Sequence, residues 1–536
     1  MVCSASLFAI TVAAQVPAHA VQLDPTTSIA SVGISLDGDR VLVVGRTQMP
    51  NLGFVHIARS SDGGRTWPIR ELPIAYASLV GTLVAAGASA HVVLNEYWVG
   101  PHVVSSYDGG ATWQPPVRVS AVSNSFLVYT PHLTVDGNEL LVAWVESRAV
   151  GGPPARPVLL VNRSVDGGRT WASSDTVVAG PTAATQIFDT KLLAVGSTRH
   201  LLWGQQDATG LAQTLHSRSL DGGATWTVGR VLGPVRMVRA AGSAQVLLVA
   251  DSSGATLQRS LDGGVTWLPV VGHGIQNVAD LAVHGRRVLL VGNGAAQQPA
   301  LGTILLQMSA DGGATWLPQP FAVLRYRPAS VQAVVAGDAA FVHFGFDGSQ
   351  EPRGAVIQSD DGGVTWRLVV DAGGLGFAAD LDRAVVVAKG PAATPSAWAF
   401  VMAGHTARGV GTAGSGGIVP TLQGRGLPGR GRTFQLEVEG CVGGGQGLLA
   451  GGFGSPVDLP FGSARLHVPQ PMLAVPFLAN GVSGLPGAGG ASVAVVVPNS
   501  AAVVGLQLVS QAFVLDGGAV GGDGFAATAA RETWIR

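Results

Sequence analysis

Apolar and polar residues alternate along most of this chain in short runs, each too short for a helix and bounded by Gly, Pro or Asp. Residues 129–175 show the pattern well. Tyr129 to Val135 reads as a strand, Asp136-Gly137-Asn138 as a tight turn, and Glu139 to Val145 as the returning strand. Val158 to Asn162 is a third apolar run, and a fourth strand follows Trp171. The third and fourth are joined by Ser164-Val165-Asp166-Gly167-Gly168-Arg169-Thr170-Trp171. This pattern, Ser-x-Asp-Gly-Gly-x-Thr-Trp, occurs seven times, starting at Ser60, Ser106, Ser164, Ser219, Ser260, Ser309 and Ser359. The intervals are 46, 58, 55, 41, 49 and 50 residues. One turn motif per unit of about 40–50 residues is the signature of a propeller or another repeat array, so the expected class is all-β.

Each octapeptide has a physical logic. The Gly-Gly pair can take positive φ, and the Asp accepts main-chain N–H bonds within its own turn. The Trp is large enough to bury against the neighbouring unit. Every copy keeps its Asp, namely Asp62, Asp108, Asp166, Asp221, Asp262, Asp311 and Asp361. One carboxylate per unit spreads them around a ring, where they cannot converge on one substrate or ion. They read as turn staples.

After the seventh octapeptide, Gly376 to Asp380, Ala384 to Ala388 and Trp398 to Met402 supply three strands without a box. Ala20 to Asp24 can serve as their fourth strand and close the ring. This favours eight blades over residues 21–404, with seven as the competing count. Gly409 to Gly417 reads as part of a Gly-rich linker, 405–420. Residues 421–536 lack the octapeptide, and their short apolar runs between Gly/Pro turns suggest a small β-sandwich accessory domain.

Strand order also orients the surface. The octapeptides lie on the same face as the turns between first and second strands. The longer loops, from second to third strand and from unit to unit, share the other face. There the sequence collects Glu96-Tyr97-Trp98, Glu146, Arg148, Trp203, Gln205, Gln206 and Arg325-Tyr326-Arg327, with Tyr129 and His132 on the first strand of the third unit. Aromatic rings stack on sugar faces, and charged groups grip hydroxyls or carboxylates, so this set suits a glycan. Tyr326 is the best-placed nucleophile, because Arg325 and Arg327 beside it would lower its pKa. Asp189 and Asp280, on first strands, are the carboxylates available to a glycosidase that works with two acids.

Composition narrows the partners. Charged residues make up 12 %, against about 25 % in typical soluble domains, and 32 basic residues balance 33 acidic ones. That balance gives no footprint for nucleic acid or an anionic membrane, so a glycan or an extracellular protein is the expected partner of a monomeric chain. No cofactor or metal motif is present. Leu7 to Ala14 and Ala18-His19-Ala20 resemble the apolar core and cleavage region of a signal peptide over residues 1–20. Export to the periplasm, cell surface or medium follows. Cleavage would leave Cys441 as the one cysteine, without a disulfide partner.

The octapeptide resembles the Asp-box, or bacterial neuraminidase repeat, of sialidases and related β-propellers such as xyloglucan-degrading glycosidases and sortilin-type receptors. The resemblance implies the fold over roughly residues 21–404. For sialidases it further implies an arginine triad, a Tyr–Glu nucleophilic pair and an acid/base Asp, with an Arg-Ile-Pro motif before the first box. The chain contains no Arg-Ile-Pro, and Arg40, the first arginine of its first unit, sits at a turn on the box face. The leading expectation is therefore a sialidase-like propeller that binds its ligand on the box-free face, and an active exo-sialidase-type glycosidase is the alternative.

Overall fold

Short β-prone runs separated by glycine turns fold into strands nearly throughout. The computed structural model describes residues 19–535 apart from 25–28, 38–39, 48–54, 62–67, 72–76, 97–98, 122–130, 149–155, 181–185, 208, 235–237, 252–255, 294–302, 319–320, 325–329, 337–338, 346–353, 360–361, 371–373, 380–383, 390–396, 403–404, 426–427, 429–430, 432, 471 and 504–505. Among the described residues there is no α-helix, and no helix is long and apolar enough to cross a membrane. Of the signal-like segment 1–20, residues 1–18 lie outside them, whereas His19 and Ala20 begin a strand.

Eight four-stranded antiparallel sheets follow one another. Sheet 1 runs from Ile29–Asp37 to Ile69–Glu71, sheet 2 from Ala77–Ala86 to Val117–Arg118, and sheet 3 from His132–Asp136 to Thr176–Ala179. Sheet 4 runs from Gln186–Val195 to Arg230–Gly233, and sheet 5 from Val238–Ser243 to Leu268–Pro269. Sheet 6 runs from Gln276–His284 to Phe321–Leu324, and sheet 7 from Ser330–Ala336 to Arg367–Val370. Sheet 8 combines Gly374–Ala379, Ala384–Lys389 and Ala397–Met402 with His19–Asp24, which pairs antiparallel to Ala397–Met402. The first strand of each sheet packs on the first strands of its neighbours, and that of sheet 8 packs on that of sheet 1. The contacts thus close into a cycle.

The core lies in the seams between consecutive sheets. Leu42, Val44, Val55 and Ile57 of sheet 1 meet Leu83, Val92, Leu94 and Val104 of sheet 2, and Trp113 packs on them. Trp171, Trp226, Trp267, Trp316 and Trp366 occupy the same place in the next five seams. Each of these six octapeptide Trp residues therefore ties its own sheet to the one before it.

The octapeptide turns are held from within. The Ser219 hydroxyl donates to Asp221 Oδ1 (2.7 Å) and accepts the Gly223 N–H (2.8 Å). The Thr225 N–H and hydroxyl then donate to the two carboxylate oxygens, at 2.9 and 2.5 Å. Asp108, Asp166, Asp262 and Asp311 repeat this arrangement, whereas Asp62 and Asp361 lie outside the described residues. The turns sit on the face expected of them, since Gly167 N–H bonds Asn138 O (2.9 Å) and Gly312 N–H bonds Arg286 O (2.7 Å) in the hairpin turns of the same sheets.

A second device links adjacent turns. Arg59, Arg163, Arg218 and Arg259, each just before an octapeptide, donate to carbonyls of Gly109, Asp221, Gly263 and Gly312 in the next one, at 2.9–3.4 Å. The close approach of successive sheets also explains the second glycine. Gly363 has φ +93°, and a Cβ there would lie 2.8 Å from Met308 Cβ in the sheet before. Gly363→Ala is expected to cost about 2–3 kcal/mol, from backbone strain plus overpacking, measured as a lowered denaturation midpoint.

Besides the two-stranded hairpin of Leu459–Phe461 and Ala464–Leu466, the C-terminal region forms two further sheets. One has the order His405–Arg408, Ala530–Trp534, Gln507–Leu515, Gln446–Phe453, Met472–Leu478, and the other has Thr421–Arg425, Thr433–Cys441, Gly489–Val496. They share a core of Phe434, Leu436, Val438, Leu449, Ala512 and Val514, with buried Cys441 among them. The stretch 405–420, expected to be a linker, is built into this module. His405–Arg408 pairs with Ala530–Trp534, Thr412 bridges Ala527, and the Ser415 N–H donates to Asp516 (2.7 Å). Its glycines serve turns that return the chain to the sheet, so their abundance does not mean slack.

Candidate functional site

The first strands line the inside of the cycle, and several carry bulges that turn polar side chains inward. In sheet 4, Phe188 pairs with Gly204 and Lys191 with Leu202, so Asp189 and Thr190 stand opposite one residue. Asp189 has φ +50° and Asn277, on the first strand of sheet 6, has φ +52°. They are the two non-glycine residues at positive φ among those described, and both sit at register shifts of first strands. Such strain at non-glycine positions concentrates at functional sites.

Around these bulges the structure brings together Asp189 and Lys191 of sheet 4, Arg239 of sheet 5 and Asp280 of sheet 6. His132 of sheet 3 lies beside Lys191. All lie between the starts of their strands and just past the midpoints, in the half away from the octapeptides. Arg239 Nε donates to Ala279 O (2.8 Å), and Asp280 Oδ2 accepts the Ala333 N–H (2.8 Å). Lys191 makes no hydrogen bond or ion pair among the described residues. Burial lowers its amine, against the pull of Asp280 and Asp189. Burial raises Asp189, opposed by Arg239 and Lys191. It also raises Asp280, opposed first by its main-chain donors and then by Lys191 and Arg239. His132 is pushed down to about 4 by burial and then by Lys191, so its ring is neutral at pH 7. The group offers an amine donor, a guanidinium and two carboxyls whose protonation is biased upward. That chemistry suits a ligand rich in hydroxyl or carbonyl oxygens.

Asp280 also belongs to a structural series. Ser35 Oγ accepts the Ala85 N–H (2.9 Å) and Thr82 Oγ1 the Leu133 N–H (3.3 Å), so a polar side chain on one first strand repeatedly caps the next. Asp189 and Lys191 lack such a tie to a neighbouring main chain among the described residues.

Other residues singled out in the sequence are placed differently. Trp203 is 1 % exposed and donates Nε1–H to Gln205 Oε1 (3.2 Å). Glu146 is likewise buried and accepts the Trp144 indole N–H at 2.9 Å. Residues two apart share a face of a strand, and in both pairs that face is turned into a seam. Trp203, Gln205 and Glu146 are therefore packing groups, a correction to their reading as ligand contacts or catalytic residues. Glu96 ends the strand Ser89–Glu96 and Arg148 ends Glu139–Arg148, both at the box-free edge. Tyr97, Trp98, Tyr129, Arg325, Tyr326 and Arg327 lie outside the described residues. Lys191 and Arg239 escaped the sequence reading, although Asp189-Thr190-Lys191 interrupting an apolar strand was a visible signal.

No family model and no curated protein matches the chain. Solved structures do. The chain is similar to the Hadza microbial sialidase Hz136 at 15 % identity and TM-score 0.35, covering 64 % of this chain and 66 % of that one. It is similar to the polysaccharide lyase Uly1 at 7 % identity and TM-score 0.44, covering 73 % and 99 %. Similarity to Saccharomyces cerevisiae Sqt1 stands at 14 % identity and TM-score 0.44, covering 73 % and 100 %.

Proposed function

We propose that the chain is an exported, monomeric Asp-box propeller of eight blades with a C-terminal β-sandwich, and that it binds a glycan or protein partner at the box-free mouth of its channel. One observation carries this reading. Asp189, Lys191, Arg239 and Asp280, from three sheets, converge on the inner wall, while every described octapeptide carboxylate is committed to its own turn. A glycan array and a panel of fluorogenic glycosides, sialosides included, test it on purified protein. Lys191→Met is expected to weaken array binding at least about tenfold while leaving the circular dichroism unchanged, because it removes a donor that makes no hydrogen bond among the described residues. Array binding untouched by this variant overturns the site, and silence in both assays overturns the carbohydrate reading.

A second reading is an active glycosidase. It is favoured by the upward bias of both Asp189 and Asp280, which a general acid needs. Turnover abolished by Asp189→Asn would select it, and turnover abolished by Tyr326→Phe would select the exo-sialidase type.

A further inference from the structure

The seam between sheets 4 and 5 is packed unlike its neighbours. Its buried apolar cluster contains Leu202, Leu232 and Val249, against ten buried apolar residues in each adjoining seam among the described residues. Imidazoles fill the difference. His200 and His216 stack with centroids 5.3 Å apart and interplanar angle 18°, and their facing nitrogens are 3.1 Å apart. Trp267, from the octapeptide of sheet 5, stands edge-on to His216 at 5.1 Å. Gly264 of the same turn lies directly over both rings. His200 Nε2 is buried with no hydrogen-bond partner among the described residues.

We propose that this stacked histidine pair makes the seam between sheets 4 and 5 an acid-sensitive latch, the first place where the cycle loosens as pH falls. An excess proton on the pair meets no counter-charge among the described residues. The groups acting on it from its own sheet are Arg199, Arg218 and Arg230, all cationic. From sheet 5 it faces Trp267 and Gly264, and the Asp262 carboxylate of that turn is occupied by Ser260 and Thr266. Asp136, across the other seam, is paired with Arg199 at 2.6 Å. Burial first, then Arg218 and Arg199 at His200, and His200, Arg218 and Arg230 at His216, push both imidazoles well below their ordinary value. Arg218 and Arg230 also donate to Gly263 O and Val265 O across the seam, so loosening there frees the sheet 5 turn as a unit. Asp189 and Lys191 belong to the sheet on one side of this seam and Arg239 to the sheet on the other, so the latch joins two sheets that carry the inner cluster.

Hydrogen exchange of the full chain at pH 7.5 and 5.0, corrected for intrinsic rates, tests the latch. The open state takes up a proton near pH 6.5 on each imidazole that the closed pair refuses, so opening gains about 30-fold per imidazole at pH 5, on the order of 1,000-fold for the pair. Peptides covering 198–219 and 246–268 are expected to lose protection by that factor before those of the seam between sheets 6 and 7, whose cluster holds no histidine among the described residues. Equal protection at both pH values, or a uniform rise in all seams, overturns the proposal. His216→Leu should cut the gain at pH 5 to about 30-fold, because it removes one of the two protons taken up on opening and leaves that of buried His200. Should that variant fail to fold, the comparison within the native chain decides alone.

Discussion

A chain beginning at residue 25 should melt about 10 °C or more below the full chain and elute as associated species. Residues 19–24 pair with the last sheet through His19–Val401, Ala20–Phe400, Val21–Ala399, Gln22–Trp398 and Asp24–Ala397. Without them, Ala397–Met402, with the apolar sequence Ala-Trp-Ala-Phe-Val-Met, becomes an open edge that can template pairing with another chain. About five ladder hydrogen bonds at about 1 kcal/mol each are lost, before any cost of opening the cycle. In a large domain that corresponds to a shift on the order of 10 °C. Scanning fluorimetry and size-exclusion chromatography check it. A midpoint within about 2 °C of the full chain would show that the strand is decoration and that the first strands of sheets 1 and 8 hold the cycle alone. Removal of residues 1–20 alone takes two of the five pairs and should give an intermediate midpoint, a measure of what signal cleavage would leave.

Much of this architecture was legible because one octapeptide solves three local problems at once, and each solution leaves a mark. Gly-Gly marks the positive-φ turn, Asp and Thr mark its internal bonds, and Trp marks the seam. Partners beyond the turn leave no such mark. Arg163 and Arg218 look like solvated charges in sequence, yet their carbonyl acceptors lie in the following octapeptide, a long-range contact that no spacing reveals. The box-free face was harder for a related reason. The second strands are apolar on both sides, so alternation does not say which way Trp203 or Glu146 turns. Both turn into seams. Lys191, by contrast, follows a bulge that changes the parity of its strand, and a bulge cannot be located from one sequence. The glycines of 405–420 misled for the opposite reason, since turn glycines and linker glycines read alike.

Thermal stability should fall steeply between pH 6.5 and pH 4, well before the octapeptide carboxylates titrate. His91 and His343 are each 1 % exposed. Burial drives both down to about 4, aided at His91 by Arg169. Because the folded values lie below the unfolded value of 6.5, their contribution is present above pH 6.5 and is lost as pH falls toward 4. Each is worth up to about 3 kcal/mol at pH 4, so the two together approach a marginal domain's whole stability of about 5–15 kcal/mol. The carboxylates act lower. Asp221 and Asp262 are held near 2, first by the Thr hydroxyls and then by the Thr main-chain N–H groups of their turns, so their contribution disappears only between 3.8 and about 2. Their loss would matter only to a chain still folded at pH 4. Melting curves in steps from pH 7.5 to 4 should therefore show a first descent assignable to histidine. His343→Leu should reduce that descent by a large fraction without steepening it near pH 3. A midpoint flat from pH 7 to 4.5 would mean that the buried imidazoles find compensating partners on protonation, and the seams would then owe their acid resistance to the octapeptide turns alone.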